Sequence, residues 1–448
     1  MCRVCIVTLY NKKYEKNDNG EWKLLFDKKW FLFILFLLIY ISFSFEVIIK
    51  PFIFAEDTIF LNDALDNGLK SIFFRHAGYL EVISRLTGIS SIMIGKLTNS
   101  YWIVTAGMRS ISIFLGAYYL SYFFLEDFSW VIKKRFFRFC VSVCLLIWMG
   151  NFYNLYYNIT CIHWYEVVYV FFVGLNMLYG KGPKIKDCIL VILGCLDAPE
   201  SCLIVIPLLI FITFYWKKGK VRIYHWITLF SSLLCSLIQV YLLKNSESSG
   251  QLGGLLSIHT IVILCKQTIR LVAEAPCFIL SNNIVTLLPT VLRISIGIVI
   301  WITLFLIMKK REFALNIFFY TLFFISAHFA ICSVKYDLTE RDRNYWEFSS
   351  SATIATFLCI VVLSWTYQDL KNKTYVYIIP VFLVLIGVSE INTAAKIDGL
   401  GEYYKTYDYE MLGMDLISNI ENKVDFSSTE FENISLYAGW NLKVPVKK

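Results

Sequence analysis

Two neighbouring acids follow the first long apolar segment of the chain. Glu56 and Asp57 stand a few residues after the apolar run 30–49, where that segment would leave a membrane. Adjacent carboxylates repel each other's charge, so one of them can have a raised pKa and act as a general base. The alternative is a solvated helix start with Asp57 as its N-cap. We predict that the pair is catalytic, with Asp57 as the first candidate for the base and Glu56 as the second.

Basic and aromatic residues share the segment that contains this acidic pair. Residues 75–81 read Arg-His-Ala-Gly-Tyr-Leu-Glu, and a further arginine stands at position 85. Arginine and histidine side chains can bind an anionic group of a substrate through charge-assisted hydrogen bonds. We therefore predict substrate binding by Arg75, His76, Tyr79 and Arg85.

A second group of basic residues lies late in the chain. Arg341 and Arg343 flank Asp342, and Tyr345 follows them. A guanidinium makes planar two-point contacts to phosphate oxygens, so these arginines are our first candidates for binding a phosphate. The alternative is a polar loop in which they pair with neighbouring acids. We include Arg341, Arg343 and Tyr345 among the predicted substrate-binding residues.

Three more candidates belong to apolar segments. His163 and Trp164 stand together at the start of one, and Arg109 lies inside another. A charge within a membrane segment is by default a functional candidate, whereas histidine beside tryptophan is also typical of an interfacial anchor. We predict that all three contribute to substrate binding. The spacing of potential ligands predicts no metal cluster, although a divalent cation held by the acids and histidines stays open.

The composition decides the class of protein. Hydrophobic residues make up 57% of the chain and charged residues 17%, against roughly 25% charged in soluble domains. This excludes a soluble enzyme, a disordered chain and a collagen-like fibre, and the unbroken apolar runs disfavour an outer-membrane barrel. The net charge of +8 comes largely from basic clusters between apolar runs, which mark cytoplasmic loops. We predict an all-α polytopic membrane protein that contacts lipids and no nucleic acid.

The apolar runs predict the membrane-spanning helices. A helix needs about 20 apolar residues to cross a bilayer. The candidate spans are 30–49, 101–125, 139–157, 162–179, 188–196 with 201–215, 223–243, 284–308, 313–332, 348–367 and 375–389. If the basic clusters beside them are all cytoplasmic, the spans alternate in direction without contradiction. The N-terminus is then cytoplasmic and the C-terminus lies outside.

Residues 188–215 form an exception, because basic clusters flank both ends and a polar turn, Leu196-Asp-Ala-Pro-Glu200, interrupts the middle. We predict two short helices that meet at this turn, which must be covered by protein or face water. The bundle then has about eleven spanning segments. The chain divides into a cytoplasmic segment 1–29, a membrane domain 30–390 and an outside tail 391–448. The main outside segments of the membrane domain are 50–100, 244–283 and 333–347.

Two stretches of the chain resemble a known family. The acidic pair after the first helix, the Arg-His-Ala-Gly-Tyr-Leu run and the arginine at position 85 resemble the first periplasmic loop of GT-C superfamily glycosyltransferases. The stretch Asn158-Ile-Thr160-Cys-Ile-His163-Trp164 is similar to an Asn-x-Thr-x-x-His-Trp stretch in bacterial membrane proteins of that type. The charged turn at 196–200 departs from the small, uncharged residues expected there.

The resemblance implies a fold and a reaction. The fold is a GT-C-like helical bundle in a bacterial inner membrane. The reaction moves a sugar, such as glucose or another hexose, from a polyprenyl-phosphate carrier to a lipid-linked or surface glycan such as O-antigen, on the periplasmic side. The base would deprotonate the acceptor hydroxyl, and cations would stabilise the departing phosphate.

Two alternatives stay open at this point. A polysaccharide polymerase or ligase would use the same lipid-linked substrates. A flippase or transporter is the rival of another class, but transporters usually place charges at mid-membrane in repeated halves. Here most charges lie outside the predicted spans, and no repeat is evident.

Overall fold

A computed structural model describes residues 28–49, 53, 56–150, 159–245, 258–280, 288–310, 312–335, 349–369, 420–435 and 441–447. These residues are mostly helical. The helices are α1 (Lys29–Ile49), α2 (Asp57–Asn67), α3 (Val82–Thr98), α4 (Tyr101–Leu125), α5 (Arg135–Gly150), α6 (Ile162–Leu178), α7 (Ile185–Asp197), α8 (Val205–Tyr215), α9 (Ile223–Lys244), α10 (Ile258–Glu274), α11 (Thr290–Met308), α12 (Glu312–Lys335) and α13 (Ser349–Asp369). Short 3₁₀ helices cover Gly68–Phe73, Pro199–Ile204 and Ala275–Leu280. Two antiparallel hairpins pair β1 (Arg75–His76) with β2 (Tyr79–Leu80), and β3 (Phe431–Ser435) with β4 (Asn441–Pro445).

The long apolar helices are consistent with the predicted helical membrane protein. Four described helices are long and apolar enough to cross a bilayer: Tyr101–Leu125, Ile223–Lys244, Thr290–Met308 and Phe313–Cys332. Shorter apolar helices cover Lys29–Ser42, Ile162–Leu178, Pro199–Tyr215 and Ser349–Trp365. The count of about eleven spans stays a prediction, and span 375–389 lies outside the described residues.

Basic residues from the first three clusters lie close together at one end of the bundle. Lys184 pairs with Glu126 across the α4–α5 and α6–α7 connections, and Lys29 at the start of α1 lies close to both residues. In the same connections, the ring of Trp130 stacks on Tyr179 with centroids 4.2 Å apart. The start of α1 and these two connections, which the sequence assigns to the same side of the membrane, therefore meet in the folded chain.

The polar turn joins the two short helices that the sequence predicts. Helix α7 ends at Asp197, a 3₁₀ helix follows from Pro199 to Ile204, and α8 continues to Tyr215. Beyond α8, Lys220 Nζ donates a hydrogen bond of 3.3 Å to the carbonyl oxygen of Gly180, just before α7. The chain thus enters and leaves this hairpin at the same end of the bundle, as predicted.

The segment 244–283, predicted as an outside loop, contains a helix. Helix α10 packs against α11 and α12. On α11, Arg293 pairs with Glu274 at 3.2 Å, and Trp301 Nε1 donates to the carbonyl oxygen of Val272 at 2.8 Å. The sequence does not predict this helix as a membrane span because Lys266, Arg270 and Glu274 interrupt its apolar residues.

The C-terminal hairpin packs on the segment between α1 and α4. Strand β4 contacts α2. The ring of Phe426, just before β3, stacks on Tyr101 at a centroid distance of 6.1 Å. The carboxylate of Glu421 accepts hydrogen bonds from the backbone of Tyr101 and Trp102, and so caps α4. The C-terminal end of the predicted tail thus packs against the predicted outside segment 50–100 and the start of α4.

Candidate active site

The first helix of the outside segment begins at the acidic pair. Glu56 is the residue before α2 and has helical backbone angles, with φ −70° and ψ −22°. Asp57 is the first residue of α2, so it is not the N-cap that the alternative interpretation required. Acidic residues in the first turn of a helix interact favourably with the helix dipole. Helix α2 therefore presents both carboxylates at its N-terminus.

The carboxylate of Asp57 points into the protein. The residue is 5% exposed. Its Oδ1 atom accepts a hydrogen bond of 2.7 Å from the Thr160 hydroxyl and one of 3.2 Å from the Thr160 backbone N–H. Thr160 stands just before α6, in the Asn-x-Thr-x-x-His-Trp stretch. The two stretches that carry the family resemblance therefore meet in the fold.

The surroundings of Asp57 suit a general base. Burial raises the pKa of its carboxyl, the two hydrogen bonds from Thr160 lower it, the Glu56 charge raises it and the Arg109 charge lowers it; the net pKa is about 7. A group with this pKa changes protonation near neutral pH and can take a proton from a hydroxyl during a reaction. Arg109 on α4 is itself buried.

A tight hairpin places a histidine beside the second acid. Ala77 and Gly78 have positive φ angles of 50° and 90°, which suit a two-residue turn between β1 and β2. The turn sets His76 opposite Tyr79. His76 Nε2 lies 4.0 Å from Glu56 Oε2, and the Glu56 side chain is 39% exposed. The buried acid and the exposed acid therefore occupy different environments one residue apart.

Arg85 lies in a network of contacts within the outside segment. Its guanidinium pairs with Asp63 at 2.5 Å and donates to the carbonyl oxygens of Phe74 and Arg75 at 2.9 and 3.3 Å. The side chain is 1% exposed. These contacts tie α3 to α2 and to the start of β1, so Arg85 stabilises the loop. Its part in substrate binding stays a prediction.

The other predicted residues have mixed placements. Arg75 is exposed and donates to the carbonyl oxygen of Asn245 at 3.2 Å, while Tyr79 is buried. His163 and Trp164 are both buried at the start of α6, with ring centroids 4.4 Å apart, and so do not match an exposed interfacial anchor. Arg341, Arg343 and Tyr345 lie outside the described residues. Among the described residues, no group of three or more acids, histidines and cysteines is arranged to bind a metal ion.

Sequence reasoning missed a third acid next to this site. Glu81 precedes α3 and is fully buried. Together with Glu56 and Asp57, it lies close enough to Cys161 for electrostatic interaction. The sequence shows that it ends the Arg-His-Ala-Gly-Tyr-Leu-Glu run. Its burial near Glu56 and Asp57 could not be predicted, because it depends on how β2 and α3 pack.

Asp197, in the polar turn, caps the helix that follows Glu81. Asp197 Oδ1 accepts hydrogen bonds from the backbone N–H groups of Ile83 at 2.6 Å and Ser84 at 3.4 Å. These are orphan donors at the N-terminus of α3. The Leu80 N–H donates a further hydrogen bond of 3.1 Å to Oε1 of Gln239 on α9. The charged turn, unexpected from the resemblance, therefore caps the helix that follows Glu81.

The fold and the site define a mostly helical membrane protein that carries a buried acidic site just after its first apolar helix. Comparisons of the chain with protein-family models, with curated proteins and with solved structures find no match in any of the three.

Proposed function

We propose that this protein is a glycosyltransferase that moves a sugar, such as a hexose, from a polyprenyl-phosphate carrier to a glycan acceptor. In this proposal it acts on the outer side of a bacterial inner membrane. The observation that carries the proposal is the environment of Asp57, a buried carboxyl with a pKa of about 7. The site lies at the end of an apolar helix, where a lipid-borne donor and a water-borne hydroxyl can both arrive.

Asp57 serves as the general base. The acceptor hydroxyl loses its proton to the carboxylate as its oxygen attacks the anomeric carbon, and the bond from that carbon to the phosphate oxygen breaks. The phosphate leaves as an anion, so the reaction needs no acid for the leaving group. Thr160 orients the carboxylate through its two hydrogen bonds.

Glu56 and His76 bind the acceptor. The Glu56 carboxylate is more exposed than that of Asp57, and His76 lies beside it. An exposed carboxylate can accept hydrogen bonds from sugar hydroxyls. The Glu56 charge also raises the pKa of Asp57, which keeps the base matched to neutral pH.

Positive charge must stabilise the departing phosphate. Among the described residues, Arg75 is the exposed arginine of the outside segment, and Arg109 lies buried near Asp57. Arg341 and Arg343 remain candidates from the sequence. A polymerase or ligase would need the same kind of groups, because its donor is also lipid-linked.

The direct test uses purified full-length protein in lipid nanodiscs with a panel of polyprenyl-phosphate-linked sugars and glycan acceptors. Consumption of a donor and labelling of an acceptor are measured together. Asp57→Asn should lower the transfer rate by about 10²–10⁴-fold, since that is the usual contribution of a general base. Glu56→Gln should reduce it less.

Asp127→Asn provides the matched control, because Asp127 is an exposed acid that pairs with Lys181 at the opposite end of the bundle. Its transfer rate should equal that of the wild type. Wild-type rates in Asp57→Asn and Glu56→Gln, singly and combined, would exclude the mechanism. Donor movement across the bilayer of sealed proteoliposomes, without any transfer, would favour a flippase.

A further inference from the structure

A fourth acid lies inside the bundle, one turn along α6 from His163. Glu166 is 0% exposed. Its Oε1 atom accepts a hydrogen bond of 3.0 Å from the hydroxyl of Ser201, in the 3₁₀ helix of the polar turn. Its Oε2 atom is buried and accepts no hydrogen bond from any residue that the structure describes. One hydrogen bond is little compensation for a buried carboxylate charge.

The backbone of α7 is shaped to fit this carboxyl group. A Cβ atom added to Gly194 would lie 1.4 Å from Glu166 Oε1, so only glycine leaves space for the carboxyl there. The close approach leaves no room for a bulky ligand against that oxygen. The smallest ligand of a carboxylate is a proton.

The groups around Glu166 are mostly acids and neutral side chains. Asp197 and Glu200 lie close enough to interact with it electrostatically, and so does Tyr119, whose buried hydroxyl also bonds to no described residue. The titratable groups that neighbouring elements bring to this region are Tyr119 from α4, Cys195 and Asp197 from α7, Glu200 and Cys202 from the 3₁₀ helix, and His328 and Cys332 from α12. Of these, His328 alone can be positively charged. Its Nδ1 atom lies 2.8 Å from the hydroxyl oxygen of Ser351.

Asp197 is the neighbour better placed to carry a negative charge. It accepts two backbone N–H bonds at the N-terminus of α3, and a helix N-terminus favours negative charge. Two adjacent buried carboxylates cannot both be charged without a large cost. The proton therefore belongs on Glu166.

We propose that Glu166 is a proton-binding site, which holds a proton at neutral pH and releases it to solvent at higher pH. The neutral carboxyl then packs between α7 and the polar turn without repelling Asp197. Release of the proton leaves a carboxylate beside the Asp197 charge, which weakens the contact between the turn and the N-terminus of α3. Because α3 follows Glu81, this proton is linked to the acidic site while being distinct from the Asp57 base.

Infrared spectroscopy of the purified full-length protein tests the proposal without an activity assay. The C=O stretch of a protonated carboxyl is measured at pH 7 in the Asp57→Asn background, which removes the contribution of the base. The band should be present there and reduced in the double variant with Glu166→Gln. Glu432→Gln, an exposed glutamate paired with Lys423, should leave it unchanged.

A second variant keeps the test decisive if Glu166→Gln misfolds. Ser201→Ala removes the hydrogen bond that favours the ionised carboxylate, so the band should persist to a higher pH than in the background protein. Two results would overturn the proposal: a protonated-acid band that is the same with glutamate or glutamine at position 166, or a band whose pH midpoint Ser201→Ala leaves unmoved. Neither readout depends on glycosyl transfer, so failure of the proposed function would leave it standing.

Discussion

At the scale of single residues, Asp57 and Thr160 decide how the rate should depend on pH. A base with a pKa of about 7 is ionised above that pH, so transfer should fall by about tenfold per pH unit below it. The Thr160 hydroxyl favours the ionised form of Asp57. Thr160→Val removes this hydroxyl, so the pKa of Asp57 should rise. The loss of a hydrogen bond to a charged group, about 1.5–3 kcal/mol, corresponds to an upward shift of about one to two pH units.

The measurement is the transfer rate between pH 5 and pH 9 for wild type and Thr160→Val. Thr213→Val is the matched control, because the Thr213 hydroxyl bonds to the carbonyl oxygen of Leu209 within its own helix. If the transfer rate falls below the same pH in all three proteins, Asp57 is not the base that takes the proton in the rate-limiting step.

Asp57 should also lower the stability of the fold at high pH. Its folded pKa of about 7 is above the usual value of 3.8. The folded state therefore binds the proton more tightly than the unfolded state, and stability from this group is lost as pH rises from about 4 to about 7. The upper limit of this loss is about 4 kcal/mol.

Asp57→Asn keeps an oxygen that can accept both Thr160 hydrogen bonds and removes the titration. We expect the variant to melt at a higher temperature than the wild type at pH 8 and at a similar temperature near pH 4. Thermal unfolding in nanodiscs at several pH values measures this difference. A wild-type pH dependence in the variant would mean that Asp57 does not titrate in the folded protein.

The site residues show what sequence alone can predict. The acidic pair could be selected because its position follows from one apolar run. Its contact with Thr160 could not, since the two residues are separated by 103 positions. The partners of Arg85 could not be predicted for the same reason: they are set by the packing of α3 on α2, which no local pattern records.

At the scale of elements, the C-terminal hairpin holds the helix that carries the acids. Asn62 on α2 donates from Nδ2 to the carbonyl oxygen of Asn441 at 2.7 Å and accepts from the Lys443 N–H at 2.9 Å. Lys443 also pairs with Asp66 at 2.5 Å. The side chain of Asn62 thus supplies the donor and the acceptor that a neighbouring strand would offer to β4.

Asn62→Ala should weaken this attachment by about 2 kcal/mol, because it removes two neutral hydrogen bonds of about 1 kcal/mol each. We expect faster amide hydrogen exchange in residues 441–447 and a lower transfer rate, because α2 loses a restraint. Asn67→Ala on the same helix is the control. Unchanged exchange in 441–447 would show that the hairpin is held mainly by its other contacts, such as Phe426 against Tyr101.

Element prediction succeeded where apolar runs were long and bounded by polar residues. Helices α4 and α9 begin at predicted residues 101 and 223 and end within a residue of prediction. Helix α10 was missed because its polar residues interrupt the apolar run. The polar turn was expected as a break, since Pro199 ends the preceding helix, but the capping of α3 by Asp197 required the tertiary structure.

At the scale of the whole molecule, the bundle has two chemically different ends. One end collects the basic connections around Lys184, Trp130 and Tyr179. The other brings together α2, the β1–β2 hairpin, Thr160 and the C-terminal hairpin. The acidic site exists only because segments far apart in sequence share this second end, which explains why separate short motifs indicated one site.

This arrangement makes a topology prediction that does not depend on the proposed reaction. Positive residues mark cytoplasmic loops, so reporters inserted at residues 135, 183, 219 and 310 should read as cytoplasmic. Reporters at residues 60 and 430 should both read as outside. The last two must agree with each other, because the Lys443 backbone bonds directly to Asn62 on the helix that begins at Asp57. Paired fusions to alkaline phosphatase and to a fluorescent protein distinguish the two sides; a cytoplasmic signal at 430 with an outside signal at 60 would contradict the packing of the C-terminal hairpin on α2.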